Sequence, residues 1–347
     1  MTDDLPVQRK GHPYLMYEML NSSIPGVKRT IEVMNSIDYD FLNGRIYLTG
    51  NGTAFHSAAL ASQILGDEPG DVVLKQAYEL YSYSRIKGTT IAFSHTGKTK
   101  STVDAMLKAK KEGNRTVGIS HYRNSPLIAS ADTGIVIGDS PDASLCNTKA
   151  FFDNYFAALE IARRKGKIEI DEPDLVNRLD RVISAGNNTG EEAAEFLGNK
   201  LNSIFVLGSG PSFYAAREAA QKMKEATHIH AEGIELEEFN HGCTSVIDDR
   251  SAVIMINSGK DSERALEISR ACRKVGTKTI GINCESDLHI SIEPPDNENL
   301  FPVLAVAMLY SVSYRMALKM KVNPDYLRFE DRNYLEYDNI VFPPGAH

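Results

Sequence analysis

The sequence predicts two tandem three-layer α/β/α domains with parallel sheets, followed by an irregular C-terminal tail. Three observations carry that prediction. Apolar runs of roughly four to six residues alternate with helical segments of roughly 15, the pattern of a parallel sheet covered on both faces. The chain also repeats itself: "IYLTGNGTAFHSAALASQIL" (46–65) and "IFVLGSGPSFYAAREAAQKM" (204–223) agree without gaps at seven of twenty positions, Gly50/Gly208, Gly52/Gly210 and Phe55/Phe213 among them. Finally, 347 residues that are 42% hydrophobic and 24% charged have the composition of a soluble globular protein with about two cores.

Taken in order, the chain opens on "MTDDLPVQRKGHPY", which is polar and lacks the pattern of a signal peptide. Both copies of the repeat begin with a buried strand, a glycine turn and an alanine-rich helix. Residues 90–120 then parallel 252–283, each reading strand, small-residue turn, helix, glycine, strand. A helix starts near "TKAFFDNYFAALEIARR", and the charged, proline-containing stretch 165–174 reads as the connection. A helical segment over 175–201 leads into the second copy. The predicted domains are therefore 1–173, with an N-terminal helical segment, and 174–325. The tail, 326–347, holds five aromatics and two prolines and is expected to pack across the body near the active site.

Composition excludes several classes. A net charge of −8 and a pI near 5.7 do not supply the basic footprint that sequence-independent nucleic-acid binding needs. The four cysteines, Cys146, Cys243, Cys272 and Cys284, form no CxxC pair and match no zinc module, so they read as small buried residues in a reducing cytosol. No apolar stretch approaching about 20 residues stands out, so no membrane span is expected. The expectation is a cytoplasmic protein without metal or cofactor.

Ligands of parallel α/β sheets sit at the carboxyl ends of the strands. The turn "GNGTAF" (50–55) places Phe55 where a dinucleotide-binding GxGxxG would need its third glycine, and no GxxxxGK[ST] run is present. "SHTGKT" (94–99) differs. Ser94, Thr96 and Thr99 surround Gly97 with hydroxyls, and a helix starting near Thr99 and Lys100 would aim its free N–H groups into the turn. The competing reading is ordinary helix capping by Ser or Thr. The sister turn "NSGKDS" (257–262) carries Asp261, which repels a phosphate, so the two copies have diverged.

In "QKMKEATHIHAEGIELEEFNHG" (221–242), Lys222 and Glu225 share one helical face. A partly buried Glu225 could carry a proton; a solvent-exposed salt bridge is the competing reading. His228 and His230 flank an isoleucine without a third ligand and read as structural. His241, before Gly242, could serve as an acid or base.

These segments resemble the sugar isomerase (SIS) superfamily, in particular the isomerase module of glucosamine-6-phosphate synthases and the related fructosamine-phosphate deglycases. The resemblance is collinear over nearly the whole chain. It runs through "HPYLMYEM" (12–19), "GNGTAFHSAALA", "SHTGKT", "LCNTKAF" (145–151), "KMKEATHIHAE" (222–232) and "EEFNHG" (237–242). It implies that Ser94, His95, Thr96 and Thr99, with Gly52 and Thr53, bind a sugar 6-phosphate, and that Leu145, Cys146 and Asn147 face the sugar. It implies that Glu225 moves a proton between C1 and C2, that Lys222 lies near the sugar hydroxyls, and that His241 assists ring opening from a neighbouring subunit of a homodimer. Departures are Ala54 and Asn147 where the family has serines, His95 for glutamine, and Lys98 for glutamate. No lysine follows Lys321, whereas Arg332 and Tyr334 resemble the R-x-Y segment of the deglycases.

The expected function is therefore a phosphosugar aldose–ketose (amino)isomerase, without a glutaminase domain of its own, acting on fructose 6-phosphate and glucosamine 6-phosphate. A fructosamine-6-phosphate deglycase is the first alternative, and a non-catalytic sugar-phosphate-binding regulator the second.

Overall fold

The structure is a computed structural model and describes residues 9–65 and 71–342. The chain divides into two compact units. Ser22–Ile170 and the segment from Arg328 make the first; the segment ending at Asn21 and Asp171–Leu327 make the second.

The first helix, α1 (Leu15–Asn21), belongs to the second unit, not to the first as the sequence suggested. Its free N-terminal amides explain this: Leu15 and Met16 donate to the buried Asp325 carboxylate at 2.7 and 2.9 Å. In the first unit, α2 (Ser23–Asn35) precedes β1 (Ile46–Gly50), α3 (Gly52–Ser62), β2 (Val72–Gln76) and α4 (Ala77–Tyr83). The unit continues through β3 (Thr89–Phe93), α5 (Lys100–Lys111), β4 (Thr116–Ser120), α6 (Pro126–Ser130), β5 (Thr133–Val136) and α7 (Thr148–Gly166). Its sheet is parallel throughout, in the order β2-β1-β3-β4-β5. The strands β1, β3 and β4 are buried at every residue, as apolar runs covered on both faces should be.

The second unit repeats the plan with α8 (Glu172–Leu197), β6 (Ser203–Leu207), α9 (Pro211–Thr227), β7 (His230–Ile234), β8 (Ser251–Ile256), α10 (Ser262–Lys274), β9 (Lys278–Ile282), β10 (Leu288–Ile290) and α11 (Phe301–Met320). Its parallel sheet runs β10-β9-β8-β6-β7, which is the same strand order counted from the unit's own first strand. Two tandem three-layer α/β/α domains are thus borne out. In both, the order reverses between the first and third strands, the switch point where open α/β sheets hold ligands.

Two expectations need correction. The stretch Glu298–Met320 is long and apolar enough to cross a membrane, which the sequence reading passed over. Its 18-residue apolar window is 94% buried: α11 is the central helix of its unit, packed on α8 and α9. Gly190 of α8 permits the close approach, since a Cβ there would meet the Ser311 backbone at 3.0 Å. The tail also differs. It forms α12 (Arg332–Val341), which buries none of its residues and leaves Tyr337 and Ile340 well exposed. Five aromatics alone do not bring a segment to a core: Phe329 lies between Arg328 and Glu330, and Tyr337 between Glu336 and Asp338.

Candidate active site

In the first unit, β1 and β3 end side by side and their turns meet. Asn51 Nδ2 donates to Ser101 Oγ and Thr102 Oγ1, both at 2.9 Å, tying the β1 turn to the first residues of α5. The 94–99 turn folds around Ser94, whose buried Oγ accepts from Gly97 N at 3.1 Å and lies 3.3 Å from Thr99 Oγ1. Gly97 has φ +64°, and a Cβ there would overlap Ser125 Oγ at 2.2 Å, so only glycine fits. Thr99 stands at the N-cap of α5 yet makes no side-chain capping bond. The capping reading is therefore not realised, and α5 directs uncapped amides and its positive dipole end into a hydroxyl-lined turn. The sister turn in the second unit is closed. Asn257 Oδ1 accepts from Gly259 N and Asp261 N, and its Nδ2 donates to Ser262 Oγ and Asn283 O. Burial and the nearby Glu235 charge raise the Asp261 pKa, the wrong sign of field for an anion.

Beside the first turn runs the loop 139–147. Asp142 anchors it: its carboxylate accepts from Ser144 N at 2.8 Å and from Ala150 N, in the first turn of α7, at 3.1 Å. Leu145 is partly exposed, Cys146 is fully buried, and Asn147 adopts a left-handed backbone with φ 48°. The buried Asn147 Oδ1 has no hydrogen-bond partner among the described residues, an open acceptor in the loop expected to face a sugar.

A charged cluster lies behind both loops. His121 Nε2 is 3.0 Å from Asp153 Oδ2, and both side chains are essentially inaccessible. Burial pushes Asp153 up, to about 8, and His121 down, to about 3, so near neutral pH this pair is held without net charge. The buried Lys149 pairs with Asp139 and donates to Ser140 Oγ at 2.7 Å. Burial, with His121 and Lys149 close by, keeps His95 well below its ordinary pKa, so His95 adds no positive charge to the turn at neutral pH.

In the second unit, α9 presents a braced carboxylate. Glu225 is 21% exposed; Lys222 Nζ donates to its Oε2 at 2.6 Å and Gln221 Nε2 to its Oε1 at 2.8 Å. Lys222 is 1% exposed, so this is not a solvent-exposed salt bridge. Behind it lies Glu218, fully buried, 3.4 Å from Lys222 Nζ, with Tyr310 OH donating to its Oε1 at 2.7 Å. His241 ends a short 3-10 turn (Glu238–His241) with its side chain 67% exposed and Glu237 Oε1 4.0 Å away.

Comparison with known proteins decides the family. The SIS domain profile matches residues 43–162 and 199–318, one copy in each unit. The chain belongs to the SIS domain family. Its two SIS domains are similar to glutamine–fructose-6-phosphate aminotransferases [isomerizing]. Identity is 27% to that of Sulfolobus acidocaldarius, over 91% of this chain and 56% of the relative, and 29% to that of Pyrococcus horikoshii, over 81% and 50%. The chain thus spans about half the length of the curated relatives it matches. Among solved structures, the C-terminal domain of glucosamine-fructose-6-phosphate aminotransferase from Francisella tularensis superposes with a TM-score of 0.80 at 18% identity, covering 92% of this chain and all of the other. Glucosamine-6-phosphate deaminase from Thermotoga maritima gives 0.77 at 17%, covering 90% and 95%. Tagatose-6-phosphate ketose/aldose isomerase from Escherichia coli gives 0.78 at 19%, covering 92% and 97%. These likenesses establish the fold.

Each SIS domain gathers part of the predicted set. The first ties the β1 turn that leads into Gly52 and Thr53 to the start of α5 through Asn51, and the 94–99 turn to the loop before Leu145 through His95 and Asp142; the second aligns Lys222 with Glu225 on α9. Sequence reasoning missed Asp142, His121, Asp153, Glu218 and Tyr310. Only Glu218 left a local trace, one helical turn before Lys222.

Proposed function

We propose that this protein is a phosphosugar aldose–ketose (amino)isomerase that acts on hexose and amino-hexose 6-phosphates, interconverting fructose 6-phosphate with ammonia and glucosamine 6-phosphate, in the deaminating direction. The observation that carries the reading is the braced, partly exposed Glu225 carboxylate on α9. Relatives and structural neighbours named for reactions of fructose 6-phosphate, glucosamine 6-phosphate and tagatose 6-phosphate support the substrate class.

The chemistry needs one base that removes a proton from carbon and returns it to the neighbouring carbon. In the deaminating direction Glu225 takes the C2 proton of open-chain glucosamine 6-phosphate. The C2–H electrons form the C1–C2 double bond of an enolamine as the C1 carbonyl oxygen gains a proton. Glu225 then delivers its proton to C1, leaving a C2 imine that water hydrolyses to ketose and ammonia. Lys222, donating to Oε2, orients the Glu225 carboxylate. The uncapped α5 terminus and the hydroxyls of Ser94, Thr96 and Thr99 hold the 6-phosphate, whose binding energy positions carbons remote from it. His241, from a partner subunit of a homodimer, assists ring opening.

Incubation with glucosamine 6-phosphate in D2O tests this: deuterium appears at C1 of the ketose product, and Glu225→Gln slows turnover by about 10²- to 10⁴-fold. A Glu225→Gln protein with undiminished turnover removes Glu225 from the mechanism. The resemblance of "EEFNHG" and of Arg332 and Tyr334 to the deglycases favours a second reading, cleavage of a 6-phosphorylated fructosamine by the same proton shuttle. Release of glucose 6-phosphate and free amine from that substrate, with no action on glucosamine 6-phosphate, selects it. Binding of both compounds without any product selects the regulator.

A further inference from the structure

We infer that His95 is a positioning residue that latches the 94–99 turn to the 142–147 loop and does not contact the sugar phosphate, an inference that rests on reading that turn as the phosphate site. The decisive contact is the Asp142 backbone N–H, which donates to His95 Nε2 at 3.0 Å. A ring nitrogen that accepts from an N–H carries no proton of its own, so the neutral imidazole holds its proton on Nδ1. Protonating Nε2 would set two donors against each other and break the contact.

The rest of the residue is engaged in the same direction. The His95 carbonyl accepts from Ser120 Oγ at 3.0 Å and His121 N at 3.2 Å. Its ring meets His121 at 4.9 Å and Tyr122 at 5.7 Å, both near edge-on. His121 is itself fixed by Asp153 at 3.0 Å. Asp142 is held at its other end, its carboxylate organising Ser144 and the first turn of α7. One imidazole therefore fixes the separation between the turn expected to hold the phosphate and the loop expected to face the sugar. That separation sets where the reacting carbons lie relative to the phosphate, so the latch acts on turnover more than on phosphate affinity.

Two replacements distinguish a latch from a ligand. A glutamine carboxamide oxygen reaches the position of Nε2 and can accept from Asp142 N–H; an asparagine reaches only the position of Nδ1. Amide exchange at Asp142, measured by NMR, reads the latch directly, and calorimetry with inorganic phosphate reads the turn. His95→Asn is expected to lose about tenfold in Asp142 amide protection. In the same variant phosphate affinity stays within about twofold and kcat falls with little change in KM. His95→Gln is expected to regain the protection and most of kcat. If His95→Asn weakens phosphate binding about tenfold while the Asp142 amide stays protected, His95 is a ligand and the inference is overturned. In the wild-type protein, imidazole nitrogen shifts must show Nε2 unprotonated near neutral pH; a protonated Nε2 overturns the latch without any variant. If no hexose 6-phosphate is turned over, the functional reading fails, and the exchange and nitrogen-shift measurements still decide the role of His95.

Discussion

At the scale of single residues, Lys222 holds a demanding position. Its ammonium is 1% exposed and lies between two carboxylates, 2.6 Å from Glu225 and 3.4 Å from Glu218. Glu218 has Tyr310 as a donor, yet its charge is taken wholly out of water, and removing the partner of a buried ion costs more than the pair itself contributes. Lys222→Met, similar in length and apolar, is therefore expected to lose about 3 kcal/mol of stability in urea unfolding. Adding Glu218→Gln to that variant removes the stranded charge and should restore a good part of the loss. If the double variant is as unstable as the single one, Glu218 does not depend on Lys222 for its charge. Glu225 behaves differently because it keeps some exposure, which suits a group that must be both fixed and reachable by substrate.

At the scale of elements, the repeat made the strand–turn–helix units legible, because glycines, apolar runs and small-residue helices are local features. The α5 turn was legible for the same reason: Ser94, Gly97 and Thr99 lie within six consecutive residues. The network behind it was not. His121 and Asp153 meet across 32 positions of sequence, and Tyr310 reaches Glu218 across 92, separations at which spacing carries no signal. α11 was missed as a continuous apolar helix because a core helix lacks the polar face that periodicity detects. The joining of α7 to β4 through His121 and Asp153 carries a pH signature. The folded state holds the Asp153 proton up to about 8, whereas an unfolded aspartate loses it near 3.9, so this group's contribution falls as pH rises through that window. His121, neutral in the fold down to about 3 and near 6.5 when unfolded, contributes stability that rises over its own window and is complete above about 6.5. The two oppose each other in acid. Asp142, raised to about 6, has finished titrating by then, which leaves Asp153 alone between about 6.5 and 8, with Lys149, Asp139 and Thr30 its other neighbours. Stability is expected to fall by about 2 kcal/mol across that interval. Asp153→Asn, whose amide can still donate to His121 Nε2, should flatten the decline. Thermal unfolding of both proteins at several pH values measures it; a flat wild-type profile would mean that Asp153 is ionised throughout.

At the scale of the whole molecule, the two SIS domains share one strand order but differ in chemistry. The first keeps an open, hydroxyl-lined turn, while the second fills its turn with Asn257 and carries Glu225 and His241 instead. His241 is the residue hardest to reconcile with a lone chain. Its side chain is 67% exposed, with Glu237 its one ion-pair partner among the described residues, at 4.0 Å, whereas an acid–base group that opens a sugar ring works best shielded from bulk water. A second copy of the chain would provide that cover, and it leads to a test that needs no structure of the complex. If each complete site combines Glu225 of one subunit with His241 of the other, Glu225→Gln and His241→Asn homodimers are both inactive. A mixed dimer then has one site with both residues lost and one with both intact. Equal amounts of the two variants, unfolded together and refolded, give half mixed dimers, so activity should return to about a quarter of the wild-type value. Light scattering confirms that the refolded species is dimeric. Recovery at that level assigns His241 to the partner's site, and a mixture that stays inactive assigns it to the site of its own chain.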